Sequence, residues 1–181
     1  MKLIIGLGNP GEKYSMTRHN AGFLFADHLR GRRGFDDFKT EKKFSSLISA
    51  GMIGTEKAII VKPETFMNES GTAVRSLIDF YKLSPSDIAV IHDDLDIIPG
   101  TFRTTDSSRA AGHNGVQDII GKLGTQDFFR IRIGIGKPVD VLKVCMPSHD
   151  YVLGAFSAEE LTKLEAAFPE IETALTDWIK R

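Results

Sequence analysis

Cysteine is all but missing from this chain: Cys145 stands alone in 181 residues, so no internal disulfide can form. That excludes a disulfide-stapled scaffold and fits a reducing compartment. Between Val144 and Met146-Pro147, Cys145 also lacks an activating neighbour and reads as an inert small residue. Long apolar runs are missing as well. Nothing approaches the ~20 residues of a membrane span, and Leu3-Ile4-Ile5 is too short for the ~7–15-residue apolar stretch of a signal peptide. The expectation is a cytoplasmic protein without membrane contact. No His-x-x-x-His or Cys-x-x-Cys pair offers metal ligands on one face, and no Gly-x-Ser-x-Gly elbow offers a serine nucleophile. Internal repeats, low-complexity stretches and long linkers are absent, so residues 1–181 read as one domain.

An excess of charge is also lacking, since 23 Lys+Arg face 24 Asp+Glu for a net charge of −1. The whole-molecule field would not attract nucleic acid. Locally the balance alternates: residues 1–62 carry +5, 63–100 carry −5, 101–137 carry +3 and 138–181 carry −4. A polyanion could dock if the two basic segments shared a face. A solvated surface of mixed charge is the plainer reading.

What is present is alternation of strand and helix patterns. Leu3–Leu7 reads as a buried strand, and residues 20–30 as a helix with Ala21, Leu24, Phe25, His28 and Leu29 inward and Gly31 ending it. Phe44–Met52 and Lys57–Lys62 form a hairpin around Gly54. A helix with Val74, Leu77, Ile78 and Tyr81 on one face follows, capped by Asn68 or Ser70. Ile88–Ile91 is a short buried strand ending in His92-Asp93-Asp94. Residues 101–105 form a short strand, 106–113 a polar loop, 114–123 a helix, and Phe129–Ile135 a strand alternating its isoleucines against Arg130 and Arg132. The capping box Ser157-x-x-Glu160 opens a C-terminal helix that Pro169 is expected to break in two. The tight hairpin must be antiparallel, so the expected fold is a three-layer α/β/α sandwich around a twisted mixed sheet.

Gly6-Leu7-Gly8-Asn9-Pro10-Gly11 matches the glycine spacing of a dinucleotide cradle. Pro10, however, removes a backbone donor where the helix should begin, and Leu29-Arg30-Gly31-Arg32-Arg33 offers no acidic residue for a ribose. The glycines are instead expected to turn the chain tightly so that Asn9 and His19 face one pocket.

With no covalent nucleophile in view, water is left for any hydrolytic chemistry. Water needs a base near neutrality, and His19 supplies an imidazole that Asp93 at a strand end could orient. Asp93, Asp94 and Asp96 could hold magnesium, but alternating residues of an extended segment point apart. Asn9, Asn68 and Asn114 each stand beside glycine or at a helix start. Read alone, each is a cap or turn residue. With His19 and Asp93 they make a set suited to hydrolysing an acyl group, because amides bind a peptide backbone or an oxyanion without neutralising the base.

Five blocks carry a resemblance. They are Gly6–Gly11 with Tyr14, Thr17-Arg18-His19-Asn20 and Gly22; Lys62-Pro63 with Thr65-Phe66-Met67-Asn68 and Ser70-Gly71; His92–Asp96; Gly112–Gly115; and Arg130, Arg132, Gly134-Ile135-Gly136. They run in order and end with Asp150–Gly154, and the chain is similar in this way to the bacterial-type peptidyl-tRNA hydrolases. The resemblance implies hydrolysis of the ester joining peptide to tRNA by a monomer without metal, organic cofactor or obligate protein partner. It implies that His19 activates water, Asp93 orients it, and Asn9 positions substrate and stabilises charge. It places Tyr14, Met67, Asn68, His113 and Asn114 on the substrate, though Met67 reads equally well as core filler and Tyr14 as loop packing. Arg103 and Arg132 would hold tRNA phosphate. Thr104-Thr105 departs from the family pattern, as does the non-glycine loop Asp106–Ala111, and Arg109 is expected to take over part of that contact. The alternative is a non-catalytic RNA-binding protein on the same fold, against which the intact His19, Asn9 and Asp93 weigh.

Overall fold

The computed structural model describes residues 1–137 and 147–181, so the reading of Cys145 falls outside the described residues. Seven strands form one sheet: β1 (Lys2–Gly6), β2 (Lys39–Glu41), β3 (Ser46–Ile53), β4 (Glu56–Pro63), β5 (Ile88–Asp94), β6 (Phe102–Thr105) and β7 (Phe129–Gly134). Their order is β2-β3-β4-β1-β5-β7-β6. The four central strands are parallel and both flanks antiparallel. Parallel strands need crossovers, which α1 (Ala21–Arg33), α2 (Ser70–Tyr81) and α3 (Asn114–Leu123) supply, while α4 (Ser148–Leu153) and α5 (Ala158–Ile179) complete the chain.

The pleat divides the apolar side chains between two cores. Leu3, Ile5, Leu7, Val61, Val90 and their neighbours pack with α2 and α3, whereas Ile4, Ile60, Ile91, Ile131 and Ile133 pack with α1 and α5. Sheet between two helical layers is the expected sandwich. Period-two burial on both faces is what makes the central strands near-continuous apolar runs.

β1 lies between β4 and β5, so the chain leaves it in one direction and returns on its other side. That is a switch point, and the crevice beyond the carboxyl ends of β1 and β5 is where open α/β sheets hold ligands. The glycine pattern owes its place to this crossing more than to turning. Of Gly6, Gly8 and Gly11, only Gly11 has a positive φ, 103°. A Cβ on Gly6 would stand 2.3 Å from the Gly22 carbonyl oxygen, and one on Gly22 would stand 2.3 Å from the Ile91 carbonyl oxygen. These two bare positions bring the first turn of α1 against β1 and β5.

Several boundaries differ from expectation. Gly31 is helical, and α1 ends at Gly34 with φ 67°. Neither Asn68 nor Ser70 caps α2; its Gly71 N–H donates to Asp118 Oδ2 on α3 at 2.8 Å, a cap across helices. Pro169 does not divide α5, which is continuous. Its ring lies on the exposed side, while Leu164, Phe168, Ile171, Leu175 and Trp178 bury one stripe. That burial outweighs the cost of a proline in a helix interior, about 3 kcal/mol. Strand β2 and helix α4 had no sequence signal, being only three and six residues long. No helix among the described residues is long and apolar enough to cross a membrane.

Candidate active site

Asp93 sits next to the C-terminal residue of β5, 3% exposed, between two histidines. His19 Nδ1 lies 2.9 and 3.0 Å from its two carboxylate oxygens, and His113 Nε2 lies 3.0 Å from Oδ1. His113 also caps α3, its Nδ1 accepting from the Val116 N–H at 3.3 Å. That bond fixes the tautomer: Nδ1 is bare and Nε2–H donates to Asp93. These three residues are the group among the described residues whose donor atoms cluster within 4.8 Å. Hydrogen-bond separations and a protonated Nε2 make it a hydrogen-bonded carboxylate, not a metal-ligand set.

Electrostatics follow from the arrangement. Burial works against ionising Asp93, yet the charge of protonated His19 and the N–H bonds of His19 and His113 hold it well below the usual carboxylate range. For His19, burial favours the neutral ring, but the Asp93 charge and hydrogen bond raise its pKa above the ordinary 6.5. With Nδ1–H committed to Asp93, Nε2 is the basic nitrogen left to the cleft. Asp94 and Asp96 face other partners, Arg132 Nε at 2.8 Å and Lys137 Nζ at 2.7 Å, so the three carboxylates do not converge on a cation.

The loop after β1 is locked on both sides of His19. Arg18 grips Glu160 of α5 through two bonds of 2.8 Å and stacks over Tyr151 of α4 at 4.3 Å. Asn20, 1% exposed, accepts from the Asn9 N–H at 2.9 Å and donates to the Asn9 carbonyl at 3.0 Å. Asn9 Oδ1 in turn accepts from the Met67 N–H at 2.9 Å. Three contacts therefore fix Asn9, and its Nδ2 remains a donor with no partner among the described residues. The clamp by Asn20 was missed in the sequence, where only its place beside His19 pointed to it.

A cleft of about 520 Å³ opens over the trio, with His19, Asp93 to Asp96, Ala110 to Asn114, Lys137, Ser148, His149 and Val152 on its walls. His19, Asp93, His113 and Asn114 thus share one cavity. Asn9, Met67 and Asn68 are not on its walls; Asn9 is tied to the Met67 N–H and to Asn20, the residue after His19. Met67 is 5% exposed and packs in the α2/α3 core, while Asn68 is exposed. Tyr14 is half-buried in a 3-10 turn beside Lys13 and lines no part of the cleft.

The three arginines differ. Arg103 and Arg132 stand opposite one another on β6 and β7, and Arg132 is ion-paired with Asp94. Arg109 is exposed in the 106–113 loop. Arg130, which alternates with the isoleucines of its strand as Arg132 does, is 1% exposed and lies beneath that loop. Within the loop, Ala111 takes φ 49° ahead of Gly112 at 85°. The non-glycine loop thus holds a left-handed alanine, a strained conformation beside the site.

Residues 3–181 match the family model described as peptidyl-tRNA hydrolase. A peptidyl-tRNA hydrolase of Desulfitobacterium hafniense is 46% identical over 180 residues, covering 99% of this chain and 94% of its own. One from Exiguobacterium is 44% identical over 179 residues, with the same two coverages of 99% and 94%. Among solved structures, a peptidyl-tRNA hydrolase in complex with n-propanol has a TM-score of 0.89 at 34% identity, over 99% of this chain and 89% of that one. A peptidyl-tRNA hydrolase of Acinetobacter baumannii has a TM-score of 0.84 at 37% identity, over 93% of this chain and 83% of that one. A sandwich whose switch point holds a histidine, a buried carboxylate and the asparagine-bearing loops, with similarity along nearly its whole length, belongs to the peptidyl-tRNA hydrolase family.

Proposed function

We propose that this chain hydrolyses the ester between the peptide and the terminal ribose of peptidyl-tRNA, and that His19 is its base. The observation that carries the reading is the buried His19–Asp93 pair, whose free Nε2 belongs to the wall of the cleft. Water attacks the ester carbonyl carbon and gives a proton to Nε2. Asp93 holds Nδ1–H and stabilises the imidazolium that forms. The tetrahedral intermediate then expels the ribose oxygen, which takes the proton back from His19. Free peptide acid and a tRNA with its hydroxyl restored are the products.

Asn9 supplies an uncharged donor, Nδ2, for the developing oxyanion. Asn114 on the cleft wall and Asn68 nearby bind peptide backbone, with Met67 and Tyr14 flanking. His113 acts on the far side of Asp93, fixing the carboxylate that His19 needs. Arg103, Arg109 and Arg132 receive tRNA phosphate. The protein works as a cytoplasmic monomer.

The test is turnover of an N-blocked aminoacyl-tRNA by the wild type and by His19→Ala. Loss of about 10²–10⁴-fold in rate is expected. Undiminished hydrolysis in the variant would exclude His19 as the base, and tRNA binding without turnover by the wild type would favour an RNA-binding protein instead.

A further inference from the structure

Arg130 is the largest side chain among the fully buried described residues, and the proposed reaction does not use it. An arginine cannot shed its charge to suit a dry site. Among the described residues no carboxylate lies within 4 Å of it. Its partners are backbone carbonyls: Ser108 through Nη2, Arg109 through Nη1 at 3.2 Å, and Gln126 through Nη2 at 3.3 Å. The guanidinium also packs over the Phe128 ring at 4.9 Å. Nε and the nearby Ser108 hydroxyl have no partner among the described residues.

Such an arrangement is costly for stability alone, because a buried cation without a counter-ion is worse than an apolar side chain of similar volume. What it achieves is local. Ser108 and Arg109 lie at the start of the segment that ends in His113, and their carbonyls bond to nothing else among the described residues. His113 holds the other end by capping α3 and bonding Asp93. Between these two anchors stands Ala111 with φ 49°. A strained residue of this kind persists only where its surroundings over-determine it. The guanidinium fork suits the task because several N–H groups in one plane reach carbonyls that a single ammonium would not.

We infer that Arg130 is a positioning residue for the substrate-binding wall: by holding the Ser108 and Arg109 carbonyls it fixes the 108–113 loop and so sets Asn114 and Arg109 for peptidyl-tRNA. This rests on the function proposed above for the same cleft. Arg130 makes no contact with His19 or Asp93 and reaches them only through the His113 bond to Asp93, while the His19–Asp93 bond itself is held by β5 and the turn before α1. Its removal therefore affects binding more than chemistry.

The test uses Arg130→Met and Arg130→Lys in the full-length chain. With Arg130→Met folded by circular dichroism, KM for an N-blocked peptidyl-tRNA should rise about tenfold or more with kcat changing much less, since loop misplacement acts through distance. Arg130→Lys should recover part of that loss. Hydrogen exchange should accelerate at the Val116 and Gln117 amides, whose acceptors belong to His113, while β1 and β5 stay protected. A folded Arg130→Met with KM and those amides unchanged would overturn the inference. If Arg130→Met does not fold, Arg130→Lys decides: exchange raised only across 106–117 supports it, and exchange raised throughout the sheet refutes it. Because the exchange readout needs no substrate, an inactive wild type would defeat the proposed function and leave this inference to stand or fall separately.

Discussion

As the proposed base, His19 would act only when neutral, yet Asp93 stabilises its protonated form and raises its pKa above 6.5. The rate, kcat/KM, should therefore rise with pH through a midpoint above that value. Asp93→Asn removes the charge and leaves burial as the dominant influence, so the midpoint should move down while the rate falls about 10²–10⁴-fold. A midpoint unmoved in Asp93→Asn would separate the two residues functionally. Stability has the matching sign. A group whose pKa is raised on folding stabilises fully below its unfolded value near 6.5 and loses that contribution as pH rises through the folded one. Wild-type unfolding free energy should thus decline above pH 6.5 more than that of His19→Ala, as urea titrations at pH 6 and 8 would show. The asparagines show where single residues become illegible. Asn9, Asn68 and Asn114 look alike in sequence, each beside glycine or a helix start, but only Asn9 is clamped, by Asn20 and the Met67 N–H. The clamp joins residues far apart in the chain, which no spacing rule records.

Elements were legible where a periodic stripe and a local cap coincide. Ser157 and Glu160 make the capping box expected of them, α3 spans the expected 114–123, and the hairpin turns at Gly54. Reading failed where tertiary contacts overrule local chemistry. α2 takes its cap from Asp118 on another helix, and Arg130 is buried by a loop whose path the sequence does not give. Pro169 is the sharpest instance. Its missing N–H forfeits one helical bond, and the helix survives because the opposite stripe is buried against α1 and β7. Replacing it should then stabilise the molecule. Pro169→Ala restores the bond at an exposed position and should add about 1–2 kcal/mol once the greater freedom of the unfolded chain is deducted. That corresponds to a rise in Tm of several degrees for a chain of this size, read by calorimetry. A fall in Tm would mean that α5 needs the proline at this position. Gly22→Ala should act in the opposite sense: its Cβ, 2.3 Å from the Ile91 carbonyl oxygen and 2.5 Å from the Leu7 nitrogen, has only backbone to displace. A loss of about 1–3 kcal/mol or more is expected, together with activity, since the turn bearing His19 leads directly into this helix.

At the scale of the whole molecule, charge is dispersed by pairing. Parts of the two basic segments lie far apart: Lys39, Lys42 and Lys43 are at the β2 edge of the sheet and Arg103 is at the β6 edge, six strands away. Most cations nearer the cleft are engaged, Arg18 with Glu160, Arg132 with Asp94 and Lys137 with Asp96. Arg103 and Arg109 are exposed and have no carboxylate partner among the described residues. Attraction of tRNA must therefore come from a few local contacts and not from a field. Contact with Z phosphates gives log KM a salt slope of about 0.7Z for single-stranded ends, so engagement by Arg103, Arg109 and Arg132 together gives a slope near 2. Arg109→Ala should lower that slope by about 0.7 and raise KM at low salt. Near 1 M salt, where the Debye length is only about 3 Å, the variant and wild type should converge. Convergence separates loss of charge from damage to the loop, because a displaced Asn114 would keep KM high at every salt concentration. An unchanged slope would take Arg109 out of the phosphate path and leave Arg103, beside the already paired Arg132, to carry it.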